Sequence, residues 1–126
     1  MSTRSVAVVG ASSDRSKFGN KSVRAHLARG WTVYPVNPKG GEVEGLPAYR
    51  SLAEVPAGQL TRISLYVPPN IGLAMLPEIA ARGCDELWLN PGSESDELVT
   101  AAEQLGLNPI AACSIVAIGE SPADHA

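Results

Sequence analysis

Short apolar runs rich in β-branched residues alternate along this chain with longer stretches in which apolar residues recur at helical spacing. The apolar runs are continuous rather than interrupted at every second position, which is typical of strands that are covered on both faces. Strands are therefore predicted over residues 5–9, 32–36, 62–67, 86–89 and 107–111.

Three stretches of helical spacing lie between these strands, over residues 20–29, 70–82 and 93–105. Each is followed by a glycine (Gly30, Gly83, Gly106), the residue that most easily takes the left-handed conformation at a helix end. Strands that alternate with helices favour a parallel sheet with right-handed crossovers. The pattern predicts an α/β fold: a three-layer, doubly wound domain of Rossmann type, with a mostly parallel five-stranded sheet of order 3-2-1-4-5.

Two regions depart from this alternation. Between residues 37 and 60, glycine, proline and small residues predict an edge hairpin or short strand near Ala48, followed by one helical turn. The tail GESPADHA offers little that could be buried and is expected to fray. The chain is interpreted as one domain over residues 1–126, with an ordered core from about residue 5 to about residue 118.

The composition is that of an ordinary globular domain, with 44% hydrophobic and 18% charged residues among 126. A formal net charge of −3 lacks the basic excess that favours nucleic acid as a partner. No segment approaches the ~20 apolar residues of a membrane span, so a membrane protein is not indicated. The first apolar run is too short for a signal peptide, and a cytoplasmic protein is expected.

The few cysteines and histidines indicate neither a disulfide scaffold nor a metal site. Cys84 and Cys113 stand far apart with no CxxC pair, and His26 and His125 show no ligand spacing. Cys84 is expected to lie in the core. His26 is expected to be a half-exposed surface residue of the first helix.

The turn between the first strand and the first helix, GASSDRSKFGN over residues 10–20, is a candidate phosphate site. Its small residues allow close approach to the backbone, and free N–H groups at a helix N-terminus attract anions. Ser12 and Ser13 could add hydroxyl donors, while Arg15 and Lys17 could neutralise the anion. The turn matches neither GxGxxG nor the GK[ST] ending of a P-loop, which argues against standard NAD and ATP sites. A loop that merely reverses the chain is the alternative.

The second predicted strand is followed by Asn37, Pro38 and Lys39, where NAD-binding domains usually place an acidic residue for the ribose hydroxyls. A cation there suits a phosphorylated ribose, and an ordinary solvated lysine is the alternative. Two proline-containing segments, YVPPN at 66–70 and NPGS at 90–93, also follow strands. Each alone is a common turn. Because open α/β sheets bind ligands at the carboxyl ends of their strands, the four segments together favour one binding site.

The segments VGASSDRSKFGN, VYPVNPKGGEVEG, LYVPPN and LWLNPGSES, in this order and spacing, resemble the stand-alone CoA-binding proteins. These are similar to the CoA-binding domain of the succinyl-CoA synthetase α subunit. The resemblance runs from residue 5 to about residue 116 and implies coenzyme A, or an acyl-CoA, as the ligand. Two departures stand out: family members often have Gln where this chain has Asn90, and Ala111 and Ala112 replace polar and charged residues ahead of the late cysteine.

The resemblance implies that residues 12–15 lie along the CoA phosphates and that Lys39 faces the phosphorylated ribose. Residues 67–69 would border the adenine or pantetheine, and residues 89–92 would line the pantetheine arm. The candidate cofactor-binding residues are Gly10, Ala11, Ser12, Ser13, Asp14, Arg15, Lys17, Gly19, Asn37, Pro38, Lys39, Val67, Pro68, Pro69, Leu89, Asn90, Pro91 and Gly92.

No catalytic constellation is found. The synthetase depends on a phosphorylated histidine from a second domain and on an ATP-handling subunit, neither of which can be placed in this chain. There is no Ser-His-Asp set, and the carboxylates resemble cap and surface residues. Cys113 follows the last strand near the inferred pocket, where a mixed disulfide with CoA is one hypothesis and a small buried side chain the other.

The first functional hypothesis is a binding, carrier or sensor module for CoA or acyl-CoA with no chemistry of its own. The alternatives are an NADP- or other nucleotide-dependent enzyme and an interaction domain that has lost its ligand. A homodimer or a catalytic partner subunit is compatible with so small a domain. The acyl group, the biological process and the oligomeric state are left open by the sequence.

Overall fold

The computed structural model describes residues 4–56 and 58–126. Its elements follow the predicted alternation of strands and helices. In chain order they are β1 (Ser5–Val9), α1 (Phe18–Ala28), β2 (Thr32–Val36), β3 (Glu42–Val43), β4 (Leu46–Pro47), β5 (Leu60–Leu65), α2 (Pro69–Arg82), β6 (Cys84–Leu89), α3 (Asp96–Gln104), β7 (Pro109–Ile110) and α4 (Ser114–Ala117). Single 3-10 turns lie at Leu52–Glu54 and Pro122–His125.

One parallel sheet organises the molecule, with the spatial order β2-β1-β5-β6-β7. Beyond β2, Tyr49 forms an isolated parallel bridge with Val36, so the chain after the β3–β4 hairpin takes the place of a third strand at this edge. Counted in this way the strands follow 3-2-1-4-5, with β7 outside β6. The predicted doubly wound α/β fold is confirmed.

The region between β2 and β5 forms a hairpin in which Glu42 pairs with Pro47 and Val43 with Leu46. Its two turn residues, Glu44 and Gly45, have φ angles of 50° and 79°. Two consecutive positive φ values are what a tight type I′ hairpin turn requires. The 3-10 turn Leu52–Glu54 follows, which agrees with the predicted hairpin and helical turn.

The two faces of the sheet are covered by different helices. α2 packs against α3, β5 and the Leu52–Glu54 turn, while α1 packs against β1, β2, α4 and the terminal turn. Alternate residues of each strand enter the two cores, because successive side chains of a strand point to opposite faces. On β1, Ala7 and Val9 belong to the α2/α3 core, whereas Val6 and Val8 belong to the α1 core.

Helix boundaries differ from the predictions by a few residues for identifiable reasons. Pro69 stands in the first turn of α2, where its missing N–H is no loss, and the helix continues through Pro77. α3 begins after Ser95, whose side chain accepts a hydrogen bond from the Leu98 amide at 3.1 Å. Ser95 therefore caps this helix, which begins at Asp96 rather than at the predicted residue 93.

The tail, which the sequence predicts to fray, forms polar contacts with α1 and the residue that follows it. The Arg29 Nε donates to Glu120 Oε2 at 2.6 Å, and His125 Nε2 lies 2.9 Å from Glu120 Oε1. Arg24 also donates from Nη2 to the His125 carbonyl. Polar contacts to α1, rather than apolar burial, hold the Pro122–His125 turn against the domain.

The prediction for His26 is also wrong, because its side chain is fully buried in contact with Trp31. The two rings meet edge to face with centroids 5.1 Å apart. Burial lowers the pKa of His26 to about 4, and the charge of Arg62 acts in the same direction. The Ser22 carbonyl lies 2.8 Å from Nδ1. A backbone carbonyl can only accept, so Nδ1 carries the proton in the neutral ring.

Candidate functional site

A cleft of about 670 Å³ opens at the carboxyl edge of the sheet. This volume lies within the range of small-molecule sites, which is about 300–1,000 Å³. The chain segments that follow β1, β2, β5 and β6 enclose it, together with part of the β3–β4 hairpin. Its lining residues are Gly10, Ala11, Ser12, Ser13, Lys17, Phe18, Gly19, Asn37, Lys39, Gly40, Glu42, Val43, Tyr66, Val67, Pro68, Pro91, Gly92 and Ser93.

The floor of the cleft is a close contact between the first turn, α1 and β5. A Cβ built on Gly10, which has φ 89°, would lie 2.7 Å from the Tyr66 carbonyl oxygen. A Cβ built on Gly19 would lie 2.1 Å from the Gly10 carbonyl oxygen. Real Cβ atoms do not approach so closely, so both positions require glycine for α1 to begin directly above the end of β1.

The side chain of Asp14 stabilises its own loop. Its Oδ1 accepts hydrogen bonds from the Ser16 amide at 3.0 Å and the Ser16 hydroxyl at 2.6 Å. These bonds hold the pKa of the Asp14 carboxyl below its usual range. The Asp14 amide in turn donates to Ser12 Oγ at 3.0 Å. Asp14 therefore fixes the shape of the loop and does not line the cleft.

Several backbone N–H groups of this loop are available to a ligand. The amides of Ser12, Ser13, Phe18 and Gly19 donate to no group within residues 4–56 and 58–126. Phe18 and Gly19 form the start of α1, whose first turn contains no acidic residue. Because free amides and the positive end of a helix dipole attract anions, this part of the cleft fits a phosphate.

Asn20 joins the loop to α1 and to the hairpin. Its fully buried side chain donates from Nδ2 to the Ser12 carbonyl at 2.8 Å and to Glu44 Oε2 at 3.1 Å. Its Oδ1 accepts from Arg24 Nε at 2.7 Å, and Arg24 Nη2 donates to the Arg15 carbonyl at 2.8 Å. The backbone of the loop is thus held from the helix side at two points.

The segment after β2 is fixed by Asn37. Its Nδ2 donates to the Ala11 carbonyl at 2.7 Å, and its Oδ1 accepts from the Lys39 amide at 2.8 Å. The Lys39 side chain itself is exposed at the cleft. The guanidinium of Arg50 packs against Gly40, at 3.2 Å from the position a Cβ would take. Lys39 lines this end of the cleft together with Gly40 and Glu42, and Arg50 lies behind Gly40, outside the lining.

A buried polar network lies below the other end of the cleft. Tyr66 lines the cleft, and its hydroxyl lies 3.1 Å from Ser114 Oγ, which lies 2.8 Å from Ser64 Oγ. Burial raises the pKa of the Tyr66 hydroxyl. Asn90, 1% exposed, donates from Nδ2 to Ser64 Oγ at 2.8 Å and to the Leu65 carbonyl at 2.9 Å. Its Oδ1 accepts from the Ser114 amide at 2.9 Å. Asn90 therefore supports the cleft from beneath.

The four predicted segments meet at this one cleft. The candidate residues that line it are Gly10, Ala11, Ser12, Ser13, Lys17, Gly19, Asn37, Lys39, Val67, Pro68, Pro91 and Gly92. Those that lie outside its lining are Asp14, Arg15, Pro38, Pro69, Leu89 and Asn90. The lining also includes six residues that the list of candidate residues omits: Phe18, Gly40, Glu42, Val43, Tyr66 and Ser93.

Phe18, Tyr66 and Ser93 lie within the predicted segments 10–20, 66–70 and 90–93, so their place in those segments was the available signal. Glu42 and Val43 lie in the segment VYPVNPKGGEVEG that carries the resemblance, but they line the cleft from the β3–β4 hairpin and not from the end of a strand of the main sheet. Cys113 is half-buried immediately before α4 and does not line the cleft. Ala111 and Ala112 are exposed and lie outside the lining as well.

The described part of the chain gathers no set of metal ligands at the cleft. Among the described residues that line it there is no histidine and no cysteine. In the same part of the chain, no group of three or more His, Cys, Asp or Glu side chains is placed to hold a metal ion. Nor does any helix described there have the length and apolarity needed to cross a membrane.

The parallel sheet, with a ligand-sized cleft at its carboxyl edge and free amides at the start of α1, defines a Rossmann-type ligand-binding domain. A family model described as CoA binding domain matches residues 4–119. The chain belongs to this CoA-binding family, as the sequence resemblance predicted.

Curated relatives include ADP-forming acetate–CoA ligases and their subunits. The α subunit of the ADP-forming acetate–CoA ligase II of Pyrococcus furiosus is 36% identical over 120 residues, which cover 85% of this chain and 26% of that subunit. The ADP-forming acetate–CoA ligase I of Archaeoglobus fulgidus is 30% identical over 112 residues, which cover 81% of this chain and 16% of the ligase. The chain thus spans about a quarter of the first protein and about a sixth of the second.

Similar solved structures include a protein of nearly the same length as this chain and a much longer synthetase. A conserved hypothetical protein from Pyrococcus furiosus is 38% identical with a TM-score of 0.81, covering 90% of this chain and 98% of that one. The dinucleotide-forming acetyl-coenzyme A synthetase 1 of Ca. Korarchaeum cryptofilum, solved with phosphate and ADP, is 30% identical with a TM-score of 0.73. That match covers 86% of this chain and 25% of the synthetase. The same domain therefore occurs at nearly this length and within much larger chains.

Proposed function

We propose that the cleft binds coenzyme A or an acyl-CoA. The observation that carries the proposal is the meeting of the four strand-end segments around one cleft of about 670 Å³ in a chain of the CoA-binding family. The cleft offers free amides at the start of α1 and a lysine after β2. These two features suit a ligand that carries phosphate at two separated places.

The diphosphate is assigned to the loop before α1. The free amides of Ser12, Ser13, Phe18 and Gly19 can donate to phosphate oxygens, and Lys17 adds a positive charge beside them. Gly10 and Gly19 allow the close contact of the first turn with Tyr66 and with α1, on which the position of these amides depends. The loop is already held by Asn20 and Asp14, so little ordering is needed when a ligand binds.

The phosphorylated ribose is assigned to Lys39. Asn37 holds the Lys39 backbone against the Ala11 turn, so that the lysine side chain is exposed within reach of the same cleft. Val67, Pro68, Pro91 and Gly92 form the opposite wall, which suits the adenine or the pantetheine arm. In this assignment Asn90 acts only indirectly, by holding β5 and α4 in place.

As a role for the whole protein, we propose a binding, carrier or sensor module without chemistry of its own. A second candidate is the CoA-binding part of a ligase whose catalytic groups lie on a partner or on another chain segment. The acetate–CoA ligase relatives favour this second role. Purification of the natural complex separates them: a stable partner that confers ADP-forming acyl-CoA ligase activity supports the second role, and a lone chain without it supports the first.

Calorimetric titration with CoA, dephospho-CoA, NADP and ATP tests the ligand. We expect CoA to bind most tightly and dephospho-CoA more weakly. Tight binding of NADP with none of CoA would overturn the assignment in favour of a nucleotide-dependent enzyme. Absence of binding by all four would favour an interaction domain without a ligand.

Replacing Lys39 by alanine tests the ribose-phosphate assignment. Lys39→Ala should weaken CoA binding by roughly tenfold, which corresponds to one charge-assisted hydrogen bond, and should hardly change dephospho-CoA binding. Lys21→Ala is the matched control, because Lys21 lies on α1 over the Phe18 ring and outside the cleft lining. An equal loss for both ligands in Lys39→Ala would show that Lys39 does not recognise the ribose phosphate.

A further inference from the structure

The tip of the β3–β4 hairpin touches the proposed phosphate loop through one carboxylate. Glu44 Oε1 lies 3.4 Å from Arg15 Nη2, and Glu44 Oε2 accepts from Asn20 Nδ2 at 3.1 Å. Arg15 belongs to the loop that leads into α1, and Asn20 lies in the first turn of α1. The hairpin forms one wall of the cleft through Glu42 and Val43, so the carboxylate ties this wall to the loop.

The two ends of this contact differ in their freedom to move. Asn20 is fully buried and its amide is also bonded to Ser12 and Arg24, so its position is set by α1. The Arg15 side chain is 64% exposed, against 22% for the Glu44 side chain. Arg15 is therefore the partner that can turn away from the carboxylate toward a ligand.

Glu44 also occupies a backbone position that suits its residue type poorly. Its φ of 50° makes it the one residue other than glycine with a positive φ among those described. Type I′ turns favour Asn, Asp or Gly at this position because they tolerate the left-handed region. The local geometry of the hairpin thus does not by itself account for a glutamate.

We propose that Glu44 is an affinity-determining residue of the cleft, which competes with the ligand's phosphate for Arg15. In the free protein the Glu44 carboxylate pairs with Arg15. When a diphosphate binds at Ser12 and Ser13, Arg15 leaves Glu44 and pairs with the diphosphate. The charge available to a ligand at this loop is therefore lower than its sequence, with Arg15 and Lys17, indicates. This inference rests on the proposed CoA site and adds the residue that limits its affinity.

Glu44→Gln tests the competition, because glutamine keeps an oxygen for Asn20 while removing the charge that holds Arg15. We expect CoA, dephospho-CoA and inorganic pyrophosphate to bind about twofold to fivefold more tightly, the size expected for an exposed ion pair. The gain should shrink at high salt, which screens exposed charges. In an Arg15→Gln background the same substitution should change binding much less, because the contested cation is gone.

Glu42→Gln is the matched comparison, since it removes the same charge from the same wall of the cleft. Glu42 has no ion-pair partner within residues 4–56 and 58–126. Its substitution should raise affinity less than Glu44→Gln does. Equal gains from both variants, or a full gain in the Arg15→Gln background, would overturn the proposal by showing a general charge effect.

The failures of the two proposals can be told apart. If the unaltered protein binds CoA and Glu44→Gln binds it equally or more weakly, the Glu44 inference is wrong and the CoA site stands. If neither protein binds CoA, the CoA site is wrong, and the affinities of the two proteins for pyrophosphate test the Glu44 inference separately. Tighter pyrophosphate binding by Glu44→Gln then supports the competition for Arg15, and unchanged or absent pyrophosphate binding refutes it.

Discussion

The two faces of the central sheet are built from neighbouring residues of the same strands, yet they differ in chemistry. On β5, Ile63 and Leu65 enter an apolar core with α2 and α3, while Arg62 and Ser64 point to the α1 side. All four are buried. The α2/α3 face buries apolar side chains, whereas the α1 face combines an apolar cluster with buried polar side chains, some of which support the cleft.

The polar face also contains groups that find no partner. The Nε2 of His26, the Nε1 of Trp31 and the Nε of Arg62 are buried without a hydrogen-bond partner among the described residues. Burying an unsatisfied polar group costs free energy. This face therefore contributes less to stability for each buried residue than the apolar face does. What it provides is a rigid link from Asn90 and Ser114 to Tyr66 at the cleft.

Substitutions at adjacent residues of β5 should separate the two faces most clearly. Leu65→Ala should lower the free energy of unfolding by about 2–5 kcal/mol, because a fully buried leucine leaves a cavity. Ser64→Ala removes the contacts with Ser114 Oγ and Asn90 Nδ2, each of which keeps another hydrogen bond, so it should lower the free energy of unfolding by only about 1–2 kcal/mol. Urea unfolding monitored by circular dichroism measures both.

For ligand affinity, Ser64→Ala should have the larger effect of the two substitutions. Ser64 holds Ser114 and Asn90, and so Ser64→Ala should loosen the Tyr66 side of the cleft although it costs little stability. Leu65→Ala should leave ligand affinity nearly unchanged below its unfolding transition. Similar losses of stability from the two variants would contradict the distinction between the faces.

His26 gives the polar face a dependence on pH that the apolar face lacks. Its pKa is lowered to about 4 in the folded protein, while an unfolded chain binds the proton at the ordinary value of about 6.5. Between these values the unfolded state binds more protons, so stability falls as pH falls. The loss at pH 4 relative to pH 7 should be about 2–3 kcal/mol from this residue.

His26→Phe isolates this contribution, because phenylalanine keeps an aromatic ring against Trp31 and cannot titrate. Unfolding free energies of the two proteins should be compared at pH 7, 5.5 and 4. The substituted protein should lose less stability on acidification, because the buried imidazole that resists protonation is gone. Parallel pH curves would show that His26 takes up its proton as easily in the folded as in the unfolded state.

The fold could be predicted from the sequence because the sheet is covered on both faces. Its strands therefore appear as continuous apolar runs, and β1 and β2 were placed at their observed bounds. β5 and β6 begin two residues earlier than predicted. The prediction started these strands at Arg62 and Glu86, because charged residues are typical of strand ends, whereas both residues lie within the strands. A charged residue that is buried by long-range partners leaves no local signal.

The candidate site was predictable wherever it consists of strand ends. Glycine and proline after β1, β2, β5 and β6 mark these ends directly, and the structure brings them to one edge. The roles of particular side chains were less accessible. The sequence predicts that Arg15 is available to bind a phosphate. In the fold Arg15 pairs with Glu44, which lies far from it along the chain. His26 resembles a surface residue because the tryptophan that covers it follows the helix.

The smallest expected effect concerns the ion pair on the polar face. Arg62 lies between the rings of Trp31 and Trp88, 4.6 Å from each centroid, and its side chain is 7% exposed. Glu86 Oε1 accepts from both Arg62 Nη2 and Trp88 Nε1 at 3.0 Å. Burial lowers the pKa of Arg62, and the Glu86 carboxylate opposes that shift.

Glu86→Gln retains an oxygen for both donors and removes only the charge. Because the Glu86 side chain is 34% exposed, water screens part of the pair, and the loss of stability should be about 1 kcal/mol. Glu103→Gln on α3 is the control, as Glu103 is exposed and forms no ion pair in the described part of the chain. If Arg62→Met then restores stability in the Glu86→Gln protein, the buried charge and not the lost contact accounts for the cost. If both glutamate substitutions are equally mild, the two tryptophan rings alone suffice to hold the Arg62 charge inside this face.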